Sequence, residues 1–155
     1  MPLHPYGRLK TNLAKVIRMN LQPPARVAAA KLKELFASFP HIRVAALFGS
    51  VARGTERPDS DIDVAVQADK PLTSDERIAI IEALALAFNR PVDLVDLHTV
   101  GQPLLDQIIS TSVQVVGTRH QWGDLIYRNV MENEDFVPYQ KRILEGRRNA
   151  WMNNS

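Results

Sequence analysis

The residues of this 155-residue chain that could do chemistry lie in one short frame. Leu47-Phe48-Gly49-Ser50-Val51-Ala52-Arg53-Gly54 is followed by a polar loop, Thr55-Glu56-Arg57-Pro58-Asp59-Ser60, and then by Asp61-Ile62-Asp63. Gly49 lets the backbone approach a ligand closely, and Ser50 adds a hydroxyl and an amide N–H. Ala52 and Arg53 begin a short helical turn whose free N–H groups face the same way, which favours a phosphate. The Arg53 guanidinium adds a charged contact to phosphate oxygens, and Arg57 offers a second such contact or a solvated loop cation. Asp61 and Asp63 stand two apart on a strand, so their carboxylates point to one side. Like charges forced together raise one pKa or recruit a cation. Hard oxygen donors in pairs suit Mg²⁺, which usually takes one or two carboxylates and completes its shell with water and substrate phosphates. A phosphate cradle beside paired carboxylates is the equipment for metal-assisted phosphoryl or nucleotidyl transfer. An isolated Asp-x-Asp pair is usually two surface acids; glycine, serine and two aspartates in one frame, bracketed by apolar strands, is a much rarer coincidence.

The elements that must position these residues follow from hydrophobic periodicity. IRVAALF (Ile42 to Phe48) is a short β-branched apolar run, a buried strand leading into Gly49-Ser50. DIDVAVQ (Asp61 to Gln67) is a second strand, with Asp61, Asp63 and Ala65 on one face and Ile62, Val64 and Val66 on the other. Ahead of them, the alanine-rich ARVAAAKLKELFASF predicts a helix from Ala25 to Phe39, closed by Pro40. After them, Thr73 or Ser74 caps a helix running to about Asn89, with Ile78, Ile81, Leu84, Ala85 and Phe88 inward. VDLVDL (Val92 to Leu97) is a third strand, followed by a helix from about Gly101 to Ser110 and a short strand from Val113 to Gly117. The tail from Trp122 to Arg148 reads as helix, kinked or broken at Pro138. The fold class is α/β, a small mixed sheet flanked by helices with a C-terminal helical tail.

Composition bounds the classes of function. With 45% hydrophobic and 23% charged residues the chain has the make-up of a soluble globular domain. No apolar run approaches the roughly 18 residues of a membrane span, and the absence of cysteine excludes disulfides, thiolate-bound zinc and thiol catalysis. The opening MPLHPYGRLK lacks the apolar core of a secretory signal, so the expected location is the cytoplasm. Charge is uneven: Arg8, Lys10, Lys15, Arg18, Arg26, Lys31 and Lys33 come before any acid, and the rest of the chain is net acidic. Such an arm suits an anionic partner, either nucleic acid or an acidic protein surface. Its residues Arg8 to Leu21 have near-helical apolar spacing that ends at Pro23-Pro24, and Met19 offers an alternative start. The expected organisation is a basic arm over 1–24, a catalytic core over 25–118 and a helical tail over 119–155.

Gly49-Ser50, the ten-residue spacer and Asp61-x-Asp63 resemble the nucleotidyltransferase signature of the DNA polymerase β superfamily. The longer string GSVARGTERPDSDIDVAV is similar to the minimal nucleotidyltransferases (MNT), and the resemblance spans about Val27 to Gly117. It implies a polymerase β-like nucleotidyltransferase fold and a third carboxylate on a neighbouring strand. Asp93 and Asp96 are the two candidates; the family's pattern of apolar residue, Asp, apolar residues falls on Val92-Asp93-Leu94-Val95 and selects Asp93, leaving Asp96 as a strand-end cap for the next helix. A bulge would reopen that choice. By the resemblance, Gly49 and Ser50 hold the β- and γ-phosphates of a nucleoside triphosphate with help from Arg53, Ser60 orders the loop with a less favoured direct nucleotide contact, and Asp61, Asp63 and Asp93 bind Mg²⁺. Asp93 also helps deprotonate the acceptor hydroxyl.

The chain is too short to carry the extra domains of polymerases or the helical domain of antibiotic-modifying relatives, so it must borrow its acceptor site. That resembles MNT antitoxins of HEPN/MNT toxin–antitoxin pairs, which transfer AMP from ATP to a tyrosine of a HEPN ribonuclease toxin. The tail segment NEDFVPYQKRILEGRR is similar to their C-terminal helix. The implied function is toxin-neutralising adenylyl transfer in a hetero-oligomer with the toxin, with no membrane and no nucleic acid substrate, although the basic arm could touch RNA. The alternatives are a small-molecule nucleotidyltransferase of aminoglycoside type, or a non-catalytic antitoxin, the latter disfavoured by the intact acids. His4, His41, His98 and His120 are scattered without ligand spacing and read as surface or capping residues. Trp122 and Trp151 read as packing residues, and Phe136 and Tyr139 as core or partner contacts.

Overall fold

The computed structural model describes residues 23–55, 57 and 59–153, with backbone alone at Pro23 and residues 135–137. The basic arm up to residue 22, with its expected helix, His4 and Met19, lies outside the described residues. Helix α1 (Pro23–Phe36) begins on the prolines themselves, which suit a first turn where no N–H is required. It stops three residues short of expectation. Ala37, Ser38 and Phe39 continue it only as i→i−3 turns, with N···O distances of 3.3, 3.1 and 3.0 Å, so the helical pattern outlasts the α-helix.

Strand β1 (Ile42–Phe48) runs directly into the short helix α2 (Gly49–Arg53), and the chain returns along β2 (Ile62–Ala68). Helix α3 (Ser74–Phe88), strand β3 (Val92–Asp96), helix α4 (Leu104–Thr111), strand β4 (Val113–Val116) and the long helix α5 (Arg119–Asn153) complete the order. The sheet is mixed, in order β3-β2-β1-β4. β1 is antiparallel to β2 and β4, whereas β2 and β3 are parallel.

Helices cover both sheet faces. On the first, α1 and α3 bring Leu32, Phe36, Ile80 and Leu84 against Ile42, Ala45, Leu47, Ile62, Val64, Val66 and Leu94. On the second, Leu105 and Ile108 of α4 and Trp122 and Leu125 of α5 pack on Val44, Ala46, Phe48 and Ala65. A register shift between Ile42 and Val44 lets Ile42 and Ala45 share a face, while exposed Arg43 pairs with Asp69 at 3.3 Å.

Three expectations are corrected. In α3 the buried residues are Ile80 and Leu84, and Ile78 is 53% exposed. That helix carries apolar residues all round (Ile78, Ile80, Ile81, Leu84, Leu86), so periodicity picks its inner face only in part. Its start is as expected: Thr73 Oγ1 accepts from the Glu76 N–H at 3.2 Å, and a Glu76 carboxylate oxygen accepts from the Thr73 N–H at 2.8 Å. Helix α5 is continuous through Pro138, so of the expected kink or break the break does not occur; the carbonyl that the proline leaves unbonded is that of exposed Glu134, where water can satisfy it. Trp122 is buried as expected, but Trp151 is 75% exposed and belongs to no core; Tyr139 is 58% exposed, which leaves partner contact rather than core for it.

A carboxylate cluster at the end of β1 as candidate active site

Strand pairing converges the chemistry-bearing residues. Asp63 stands opposite Phe48 across the antiparallel β1–β2 pair, and opposite Asp93 across the parallel β2–β3 pair. Residues opposite each other in a sheet project to the same face. Asp63 and Asp93 are therefore neighbours, and Gly49, the residue after Phe48, lies beside them. Asp61 sits one residue before β2 begins, exposed at the strand's mouth.

Gly49 has φ +70°, and a Cβ built there would lie 2.0 Å from Asp63 Oδ2 and 2.8 Å from its Cγ. The carboxylate is pressed against the glycine backbone at a distance no side chain would permit. Gly49 and Ser50 form the first turn of α2, which is anchored by fully buried Val51. It closes on Gly54 in the left-handed region, with the Thr55 N–H donating to Ser50 O at 3.0 Å.

Electrostatics mark Asp63 as the centre. Its pKa is raised, first by burial and then by repulsion from Asp93 and from Asp61, with Arg53 pulling the other way. Three of the residues expected from the sequence thus act on the carboxyl group of a fourth. The raised value describes a donor set short of positive charge, as expected of carboxylates that hold a cation. Among the described residues no three His, Cys, Asp or Glu side chains already form a metal cage. Mg²⁺ does not require one, since phosphate oxygens and water complete its shell.

Ser60 orders the loop, as expected: its Oγ accepts from the Arg57 N–H at 2.8 Å, and its own N–H donates to Arg57 O at 3.0 Å. Asp96 is distinguished from Asp93 by burial. Asp93 is exposed, whereas Asp96 is 3% exposed, accepting from the Leu72 N–H at 2.8 Å and from the His98 N–H at 2.9 Å. It ties the loops flanking α3 and β3 together rather than capping α4, whose N-cap is Pro103. Asp96→Asn turns one acceptor oxygen into an amide facing an N–H, so we expect a loss of about 2 kcal/mol and a Tm lower by about 4–8 °C. Asp93→Asn should leave Tm undiminished. Thermal melts of the two variants check this, and equal melting would undo the division of roles.

The sequence reading did not single out Arg128. Its guanidinium donates to Leu97 O and Val100 O and bonds Glu132 Oε1 at 2.7 Å, clamping the loop after β3 to α5. Beside it, Asn129 Nδ2 donates to Asp106 Oδ1 at 2.9 Å, and Gln102 Nε2 donates to Asn129 Oδ1 at 2.8 Å. No sequence pattern marks such a clamp, because its acceptors are mostly backbone carbonyls. His98 Nε2 bonds Ala68 O at 2.6 Å, His41 packs edge-on to Phe39 with its buried Nε2 unpartnered among the described residues, and His120 faces Asp124 at 3.6 Å on the surface.

A Gly-Ser turn seated on one of three carboxylates, on a mixed sheet between helices, has the parts that nucleotidyl transfer requires. Residues 30–121 match the Polymerase beta, Nucleotidyltransferase family, and the chain belongs to it. The protein adenylyltransferase MntA of Shewanella oneidensis is 36% identical over 88 residues, which cover 57% of this chain and 63% of that relative. A crystal structure of a toxin–antitoxin with AMP-PNP has a chain that superposes with TM-score 0.69 at 28% identity, covering 76% of this chain and 95% of that one. A mutant MntA–HpeT toxin–antitoxin gives TM-score 0.69 at 26% identity, with the same coverage.

Proposed function

We propose that this protein is a Mg²⁺-dependent adenylyltransferase antitoxin, transferring AMP from ATP to a tyrosine hydroxyl of a HEPN-type toxin. The observation that carries the reading is the in-register Asp63–Asp93 pair held against Gly49. The likeness to MntA and to a toxin–antitoxin with AMP-PNP supports the donor and the partner. ATP as donor puts the reaction in the cytoplasm. Among the described residues no helix is long and apolar enough to cross a membrane.

Each residue has a task. Gly49 and Ser50 present backbone N–H groups and a hydroxyl to the β- and γ-phosphates, and Arg53 adds charge to the same oxygens. Ser60 holds the loop between Arg53 and Asp61 and stands near enough in sequence to contact the nucleotide. Asp61, Asp63 and Asp93 would hold Mg²⁺, which supplies charge neutralisation on the phosphate oxygens. Asp93, exposed and directly opposite Asp63 in the sheet, helps to deprotonate the tyrosine hydroxyl by accepting its proton. The tyrosine oxygen then bonds to the α-phosphorus in line with the α–β bridging bond, and that bond breaks to release pyrophosphate.

The test is the intact mass of a HEPN toxin after incubation with this protein, ATP and Mg²⁺. We expect a gain of one or more AMP units, absent with Asp61→Asn. A stable complex without mass gain would make the protein a steric antitoxin, and neither complex nor gain would point to a small-molecule acceptor.

A further inference from the structure

Helix α5 is anchored only at its beginning. Trp122 and Leu125 enter the core, and Arg128 and Asn129 make the polar clamp. From Pro138 to Asn153 every residue is exposed. At 3.6 residues per turn, Tyr139, Ile143, Leu144 and Ala150 fall within about 140° of the circumference. Lys141, Arg142, Glu145 and Arg148 lie outside that arc, with Arg147 inside it. Tyr139 and Leu144 are 58% and 65% exposed. Ile126 and Val130, 48% and 50% exposed, lie near the angular position of Leu144 on the part of the helix closer to the body. The helix is finished on its polar face and uncovered on its apolar one. A free segment of this length is marginal as a helix in water, and Pro138 and Gly146 weaken it further.

Charge selects the occupant. Residues 138–153 hold Lys141, Arg142, Arg147 and Arg148 against a single acid, Glu145. The chain's own arm brings Arg8, Lys10, Lys15 and Arg18 with no acid and is repelled, and the same segment of a second copy would bring the same four cations and be repelled too. RNA would satisfy the cations but leave Ile143 and Leu144 in water. A protein face that is apolar and edged by carboxylates satisfies both. Helix α5 is rooted on the sheet face that carries Asp63 and Asp93.

The geometry points to the distal half of α5 as the docking arm for the acceptor protein, an amphipathic helix that binds an acid-edged apolar groove on it; the partner's identity rests on the adenylyl-transfer reading. Docking on α5 separates recognition from chemistry. It should set the acceptor's affinity and leave the nucleotide site untouched.

The experiment uses the full chain, its Ile143→Asp/Leu144→Asp variant and its Lys141→Glu/Arg148→Glu variant, with the HEPN toxin of the transfer assay as probe. Both variants should raise the acceptor KM and the Kd of the complex by about tenfold or more, with kcat and AMP-PNP affinity within about twofold of the wild type. Helical circular dichroism should grow when the wild type binds, in excess of the separate spectra. An unchanged Kd in the apolar variant overturns the proposal. So does a wild-type dimer dissolved by that variant, or loss of a single-stranded RNA oligonucleotide with toxin binding intact. If the wild type binds the toxin without transferring AMP, the adenylyl-transfer reading fails, while loss of the complex in the variants still supports the arm. If the wild type forms no complex, the arm is overturned.

Discussion

Asp63→Asn should cut nucleotidyl transfer by about a thousandfold or more while leaving a folded protein that melts higher at neutral pH. The activity loss follows from removing the proposed central ligand of a metal whose stabilisation of the transferring phosphoryl group would be worth several kcal/mol. The stability gain follows from the raised pKa of Asp63, caused by burial and by Asp93 and Asp61. A carboxyl whose folded pKa is raised binds its proton more tightly folded than unfolded. Its stabilising contribution is complete below the unfolded value near 3.8 and is lost as pH rises through the raised folded one. Above that raised value the metal-free wild type has lost it, whereas asparagine carries no charge to repel. Without Mg²⁺, Tm measured from acid to neutral pH should fall less for Asp63→Asn than for the wild type. Adding Mg²⁺ should raise Tm in the wild type and much less in the variant. Asp61→Asn should likewise abolish transfer in a folded chain, by removing a ligand and easing the same repulsion. Transfer at the wild-type rate by either variant would remove the metal site from these residues.

Much of this arrangement was legible in the residues because the elements nearest the chemistry are the most strongly patterned. IRVAALF has no polar position but Arg43, and it forms β1 end for end, delivering Gly49 where expected. The second strand begins at Ile62, so Asp61 lies at its mouth and Asp63 within it. What the pattern could not show is register. Asp93 and Asp96 have similar sequence surroundings, and only the parallel ladder sets Asp93 opposite Asp63, while the Leu72 and His98 amides claim Asp96. Both are long-range facts, settled by pairing across about thirty residues rather than by local preference. The face of α3 was legible in part: Leu84, Ile81 and Phe88 pack inward as expected, but Ile80 takes the place expected of Ile78 because apolar residues also occupy the outer side. Tail residues Tyr139 and Trp151 show a third limit. An amphipathic segment far from the core reads the same whether its apolar face is covered by this chain or by another.

Gly49→Ala should damage stability and transfer together, because Gly49 answers two demands at once. Its φ of +70° lies in the left-handed region, where alanine costs about 1–2 kcal/mol. The new Cβ would also fall 2.0 Å from Asp63 Oδ2 and 2.8 Å from Cγ, so the carboxylate must move or β1 and β2 must separate. Together we expect a loss of about 3 kcal/mol or more, a Tm lower by about 6–12 °C, and transfer reduced by at least about a hundredfold, since the displaced group is the central metal ligand. The two demands separate in a double-mutant cycle. With Asp63→Ala as background the two nearest atoms are gone, and the closest remaining, the Cβ of residue 63, stands at 3.1 Å. The penalty for Gly49→Ala should then shrink to the left-handed strain of about 1–2 kcal/mol. Denaturant melts of the four proteins measure it. An equal penalty in both backgrounds would show that the backbone conformation alone demands glycine here, and that Asp63 is held in place by something other than this contact.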